Sequence, residues 1–149
     1  MHFPLLGLVE IFDLGDGLSP RLINGSTRHR IGAGADALVA GFVVDGVGEK
    51  TLLIRGIGPT LAAPPFNLPG TIADPKLEIY DQTRHLLAEN DNWPPTLATV
   101  FSRVAAFALV PDSKDAALVI TLPPGAYSAQ LTNPTGPAGD GMIEIYEVP

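Results

Sequence analysis

The sequence contains no cysteine, which excludes a disulfide framework, a thiolate nucleophile and a cysteine-ligated zinc site. Charge is also scarce. Charged residues make up 17% of the chain, and nine Lys and Arg stand against sixteen Asp and Glu, for a net charge of −7. Nucleic acid needs clustered cations, and the one local cluster is Arg28, His29 and Arg30. That triplet reads as a solvated strand edge or turn, so no nucleic-acid partner is expected. No apolar run reaches the roughly 18 residues of a membrane helix, so no membrane insertion is expected either. The opening "MHFPLLG" lacks the basic n-region and the length of a signal peptide. The expectation is a chain whose signal has been removed, or one cut from a longer protein.

Apolar residues and turn residues are what the chain does have. Of 149 residues 46% are hydrophobic, enough for one domain with a substantial core. Sixteen Gly and fifteen Pro recur between apolar runs, a pattern of short strands joined by tight turns. Two-residue alternation or β-branched content marks strands at 8–13, 21–24, 37–45, 50–56, 76–81, 85–89, 117–122, 126–132 and 142–148. In "KLEIYD" Leu77 and Ile79 share one face, and in the last strand Ile143 and Ile145 point inward with Glu144 and Tyr146 outward. Ile54, Leu118 and Ile120 complete the expected core. Turn chemistry predicts a hairpin at 45–50 (Gly46 and Gly48), a short reversal at 122–127 (Pro123, Pro124 and Gly125) and a third hairpin at 81–84.

One segment breaks the β pattern. Leu97, Val100, Phe101, Val104 and Ala105 fall at helical spacing behind Pro94 and Pro95, predicting about three helical turns capped by Thr96. A shorter turn is expected at 58–63. The fold class is therefore all-β, an antiparallel β-sandwich of jelly-roll kind with one short helix covering an end. A parallel α/β sheet would need helices between most strands.

No motif defines an active site. Gly32 and Gly34 begin a dinucleotide-like pattern that opens no helix, and a turn is the better reading. Glu49 stands before Lys50 where a phosphate loop needs glycine. His2, His29 and His85 have no triad or zinc spacing, so no catalytic residues are assigned and no enzyme is expected. The most polar cluster holds Glu89, Asn90, Asp91 and Asn92, with Asp81 at the neighbouring hairpin. These oxygens are candidate calcium ligands; the plainer reading is an Asx-turn loop with Trp93 packed as a plug. An exposed Trp93 would instead stack on sugar rings.

The chain carries one strand twice. Gly7, Leu8, Val9, Glu10, Ile11 and Phe12 match Gly141, Met142, Ile143, Glu144, Ile145 and Tyr146 at a constant offset of 134 (144 minus 10). A single sandwich has one slot for such a strand. Residues 1–19 are thus expected to be an N-terminal arm and linker, the tail of a preceding unit, with the sandwich at 20–149. Leu8, Val9, Glu10, Ile11 and Phe12 are the candidate assembly strand, since a free apolar strand can add to a neighbour's sheet.

The strings "RLINGSTRHRIGAGADALVAGFVVDG", "KTLLIRGIGPTLA", "DPKLEIYD", "ENDNW", "SKDAALVITLPPGAYSAQL" and "IEIYEV" together resemble a repeat domain of large secreted proteins of environmental bacteria, Verrucomicrobia and related groups. The likeness covers about residues 20–148. The second half is also similar to bacterial pre-peptidase C-terminal β-sandwich domains, some of which bind calcium or polymeric substrates. Both resemblances imply a sandwich fold and an extracellular or cell-surface location, and neither supplies catalytic residues. The leading expectation is a structural or adhesive module whose partners are copies of itself or neighbouring units, in the limit a filament. The second is an accessory module binding extracellular polysaccharide or protein.

Overall fold

The structure is a computed structural model, and it describes residues 10–11 and 23–149. Eight strands form in chain order: β1 (Asn24–Ile31), β2 (Gly34–Val44), β3 (Lys50–Ile57), β4 (Lys76–Asp81), β5 (Leu86–Asn90), β6 (Ala116–Leu122), β7 (Gly125–Asn133) and β8 (Gly139–Glu147). They make two four-stranded sheets, β1-β8-β3-β6 and β2-β7-β4-β5, with every ladder antiparallel. The pairs β1–β8, β2–β7, β3–β6 and β4–β5 are nested, as if one long hairpin had been folded over on itself. That nesting is the jelly-roll topology.

Seven of the strands occupy stretches whose alternation marks them in the sequence. β1 begins where the fragment 21–24 ends, and residues 21–22 lie outside the described residues. Arg28, His29 and Arg30 fall on β1, an edge strand, with their side chains in solvent. Two of the expected hairpins are something else. The turn at 45–50, with Gly46 and Gly48 both at positive φ, joins β2 to β3, which lie in opposite sheets. The Pro-Pro-Gly turn likewise carries the chain from β6 in one sheet to β7 in the other. Turn residues dictate that the chain reverses; they carry no information about which strand it will pair with. Only 81–84 closes a true hairpin, where Asp81 Oδ1 accepts bonds from the Thr83 and His85 amides at 2.8 and 2.9 Å.

Between the sheets lies the main core. Ile54, Leu77, Ile79 and Ile143 are at most 1% exposed, and Leu118, Ile120 and Ile145 pack against them half-buried. The fit is tight at Gly56, where a Cβ would lie 2.3 Å from Leu131 Cδ1 of the facing sheet, closer than any side chain tolerates.

A second core forms on the outer face of the β1-β8-β3-β6 sheet. Leu53, Ile57 and Ala117 on that face are covered by Leu61, Phe101 and Leu109. β3 is therefore buried on both sides, which is why "LLIRGI" reads as a nearly unbroken apolar run. Leu61 comes from a single helical turn, α1 (Pro59–Ala62). Phe101 comes from α2 (Ala98–Arg103), which follows a 3₁₀ turn at Pro95–Leu97. The helical segment so lies on a sheet face, where the sequence pattern alone had suggested an end of the sandwich. It is also shorter than three turns, and no side chain caps its start. Ala105 turns left-handed at φ 56°. The Ala106 amide then reaches back to Phe101 O at 2.9 Å and the Ala105 amide to Ser102 O at 3.3 Å. This pair of bonds is a Schellman stop, made here with alanine where glycine is usual, so the sequence does not announce it.

Candidate functional site

The sequence repeat focuses attention on β8, the strand that is written twice. β8 lies between β1 and β3 in the middle of its sheet, and Glu144 stands directly opposite Arg55 of β3. Arg55 is fully buried on the outer face of that sheet. A buried guanidinium needs a counter-charge and acceptors for its fixed fork of donors. Glu144 Oε2 accepts from Nε at 2.8 Å and from NH2, while NH1 donates to the Phe107 carbonyl at 2.6 Å. Aromatic faces surround the cation: Phe107 lies 4.3 Å, Phe101 4.9 Å and Tyr146 5.8 Å from its centre. Such contacts are worth more when desolvated, as here.

The Tyr146 hydroxyl completes the set by donating to Glu144 Oε1 at 3.1 Å. Burial first, and then the Glu144 charge, hold its phenol above the ordinary tyrosine range. Glu144, which strand alternation alone places in solvent, is thus buried beneath the second core. Sequence reasoning missed this arginine. The available signal was one cation inside an apolar run, with a Glu-x-aromatic pattern in another strand.

Positions 142–146 of β8 each have a counterpart in the first copy. Ile143 and Ile145 face the main core, Met142 and Tyr146 face the second, and Glu144 neutralises Arg55. Val9, Ile11, Leu8, Phe12 and Glu10 carry the matching chemistry in the same order. The first strand so repeats the residue classes of β8, except that Phe12 lacks the hydroxyl that Tyr146 gives to Glu144. Leu8, Val9 and Phe12 lie outside the described residues, as does most of the 1–19 arm. Glu10 and Ile11 are described, exposed and in no strand.

A second polar hub ties the helical layer down. Buried Asp115 accepts from the Gly58 amide at 2.8 Å, the Thr60 amide at 3.1 Å and hydroxyl, and the Ser113 hydroxyl at 2.6 Å. The Trp93 amide donates to the Asp115 carbonyl at 2.8 Å, and Trp93 Nε1 to Ser113 Oγ at 3.1 Å. The Trp93 ring packs 5.5 Å from Phe101, so it is the plug of the plainer reading and not an open stacking platform.

Asp81 is placed apart from the other candidate calcium ligands. Asn90 pairs with Leu77, four residues along β4 from Asp81, or about 13 Å at strand rise. Asp81 is engaged in its own turn, with Thr83 and the His85 amide holding its carboxyl below the usual range. Glu89 meets Lys76 at 2.9 Å, and together with Glu78 it raises the lysine pKa. Asn90 Oδ1 accepts from the Ala117 amide at 2.9 Å, and Asn92 Nδ2 donates to Asp91 Oδ1 at 3.1 Å. Among the described residues no group of three or more His, Asp or Glu gathers as a metal site. Melting midpoints in millimolar calcium and in chelator are accordingly expected to coincide; a rise with free calcium would reinstate the loop as a site.

His29 and His85 are both exposed, on β1 and in the β4–β5 turn, and His2 lies outside the described residues. No protein-family model and no curated protein matches the chain. What the fold and site define is a class: a jelly-roll domain whose last strand neutralises a buried arginine.

Proposed function

We propose that the chain is a structural module of a secreted bacterial protein, associating with like units through β-strand contacts. One observation carries this reading. The strand at residues 8–12 repeats β8 with the core pair, the carboxylate and the aromatic ring in the same order. Such a strand suits the sheet of a like unit. A contact between one unit's arm and the next unit's body is heterologous, so it propagates and does not close.

Sedimentation across a dilution series tests the reading. The intact chain should form species larger than a dimer that shrink on dilution. Val9→Lys combined with Ile11→Lys should remove those species, because two ammonium groups would face the core in any acceptor sheet. An intact chain with no species above a dimer at high concentration, or a double variant that behaves like the parent, overturns it.

A further inference from the structure

We infer that β2 is a second association surface, through which two copies pair edge to edge about a two-fold axis at Gly41. The inference is independent of the N-terminal arm. Among the described residues the two sheets have four edges: β1, β6, β2 and β5. Three of them carry features that discourage pairing. β1 presents Arg28, His29 and Arg30, and charge on an edge is the usual protection. β5 has five residues and an irregular register against β4. On β6 the Ala117 amide is occupied by the Asn90 side chain.

β2 is the least defended of the four: its one irregularity, between Gly34 and Leu38, leaves residues 38–44 in regular register. It is eleven residues long, holds one charged residue, Asp36, and pairs only with β7 among the described strands. Val39 and Val43 are 52% and 71% exposed on its outer face. A long, apolar, exposed edge is a template for another strand.

The sequence of β2 says which strand. Its regular ladder with β7 runs over residues 38–44, after a register shift between Gly34 and Leu38. The midpoint of that stretch is Gly41 (38 plus 44, halved). Antiparallel pairing with a second copy about this point sets Val39 opposite the partner copy's Val43 on the outer face. It also sets Ala40 opposite Phe42 and Leu38 opposite Val44 on the inner face, small or medium against large. Apolar cross-strand pairs of this kind are the unit of sheet stabilisation. Gly41 has nothing within 4 Å of where a Cβ would sit, so the axis itself is uncrowded. The result is a closed, isologous dimer with one continuous eight-stranded sheet. Asp36 and Asp45 flank the paired stretch and bring like charge together at each end. The dimer should therefore tighten as salt screens them, and one that dissociates on adding salt is a different dimer.

The absence of cysteine makes a direct test available. Opposite residues in antiparallel strands have Cα atoms about 4.5 or 5.5 Å apart, within the roughly 4.4–6.8 Å that a disulfide spans. Gly41→Cys should yield a covalent dimer under mild oxidation on a non-reducing gel. Gly25→Cys, equally open but on the β1 edge, should remain predominantly monomeric. Val43→Lys in the cysteine-free chain changes only a solvent-facing side chain and should halve the mass of the two-fold species. Equal crosslinking of the two cysteine variants, or a Val43→Lys dimer as tight as the parent's, overturns the inference. The lysine pair in the N-terminal arm should leave this dimer intact, so the two associations fail separately.

Discussion

Glu144→Ala is expected to lower the unfolding free energy by about 3–5 kcal/mol, the cost of leaving a buried cation without its partner. Arg55 is wholly buried, and Glu144 is its only carboxylate partner among the described residues. The Phe107 carbonyl and three aromatic faces remain in the variant, but none of them neutralises the charge. Truncation also frees the Tyr146 hydroxyl of its acceptor. Arg55→Leu combined with Glu144→Leu should cost less than Glu144→Ala, because no charge is then left in the second core. Urea unfolding of the parent, Glu144→Ala and the double variant would read both effects as shifts in midpoint at constant slope. A loss under about 1 kcal/mol for Glu144→Ala would mean that the guanidinium is solvated by some other route.

Ile79→Ala and Ile143→Ala should each cost about 2–5 kcal/mol, from lost burial plus the cavity left behind. These residues belong to opposite sheets and are at most 1% exposed in the same core cluster. The neighbouring strands hold the sheets at fixed spacing, so neither site can collapse fully. Val47→Ala, fully exposed in the turn between β2 and β3, is the control and should fall within about 0.5 kcal/mol of the parent. Unchanged thermal midpoints for both isoleucine variants would overturn the assignment of strand faces.

The legibility of this fold varies with the range of the interaction that decides each feature. Leu77 and Ile79 can be assigned to one face from "KLEIYD" alone, because alternation is a property of a single strand. The same rule places Ile143 and Ile145 correctly and misplaces Glu144. Alternation separates two faces of a strand without saying whether a second layer covers the outer one. That layer is made by Phe101, Leu109 and Leu61, contributed by segments distant in sequence. The helix at 98–103 was visible as a spacing of apolar residues, while its stop at Ala105 was not, since the left-handed turn carries no glycine. A hairpin brings Asp81 near the 89–92 cluster in sequence, but the β4–β5 ladder separates it from Asn90 by the length of the strand.

By itself the sequence determined a cysteine-free, weakly charged all-β domain, the location of most strands, their inward faces and the duplication of the last strand. Each of these follows from local periodicity or composition, which no tertiary contact needs to complete. Tertiary structure alone decided which strands pair, that two apparent hairpins are crossings between sheets, and that Glu144 belongs to Arg55. It also left β2, among the described residues, as an edge strand with Gly41 at the centre of its regular ladder. The reason is physical: a turn specifies reversal and a pattern specifies a face. Pairing partners and buried charge pairs depend on residues 89 positions apart, as Arg55 and Glu144 are.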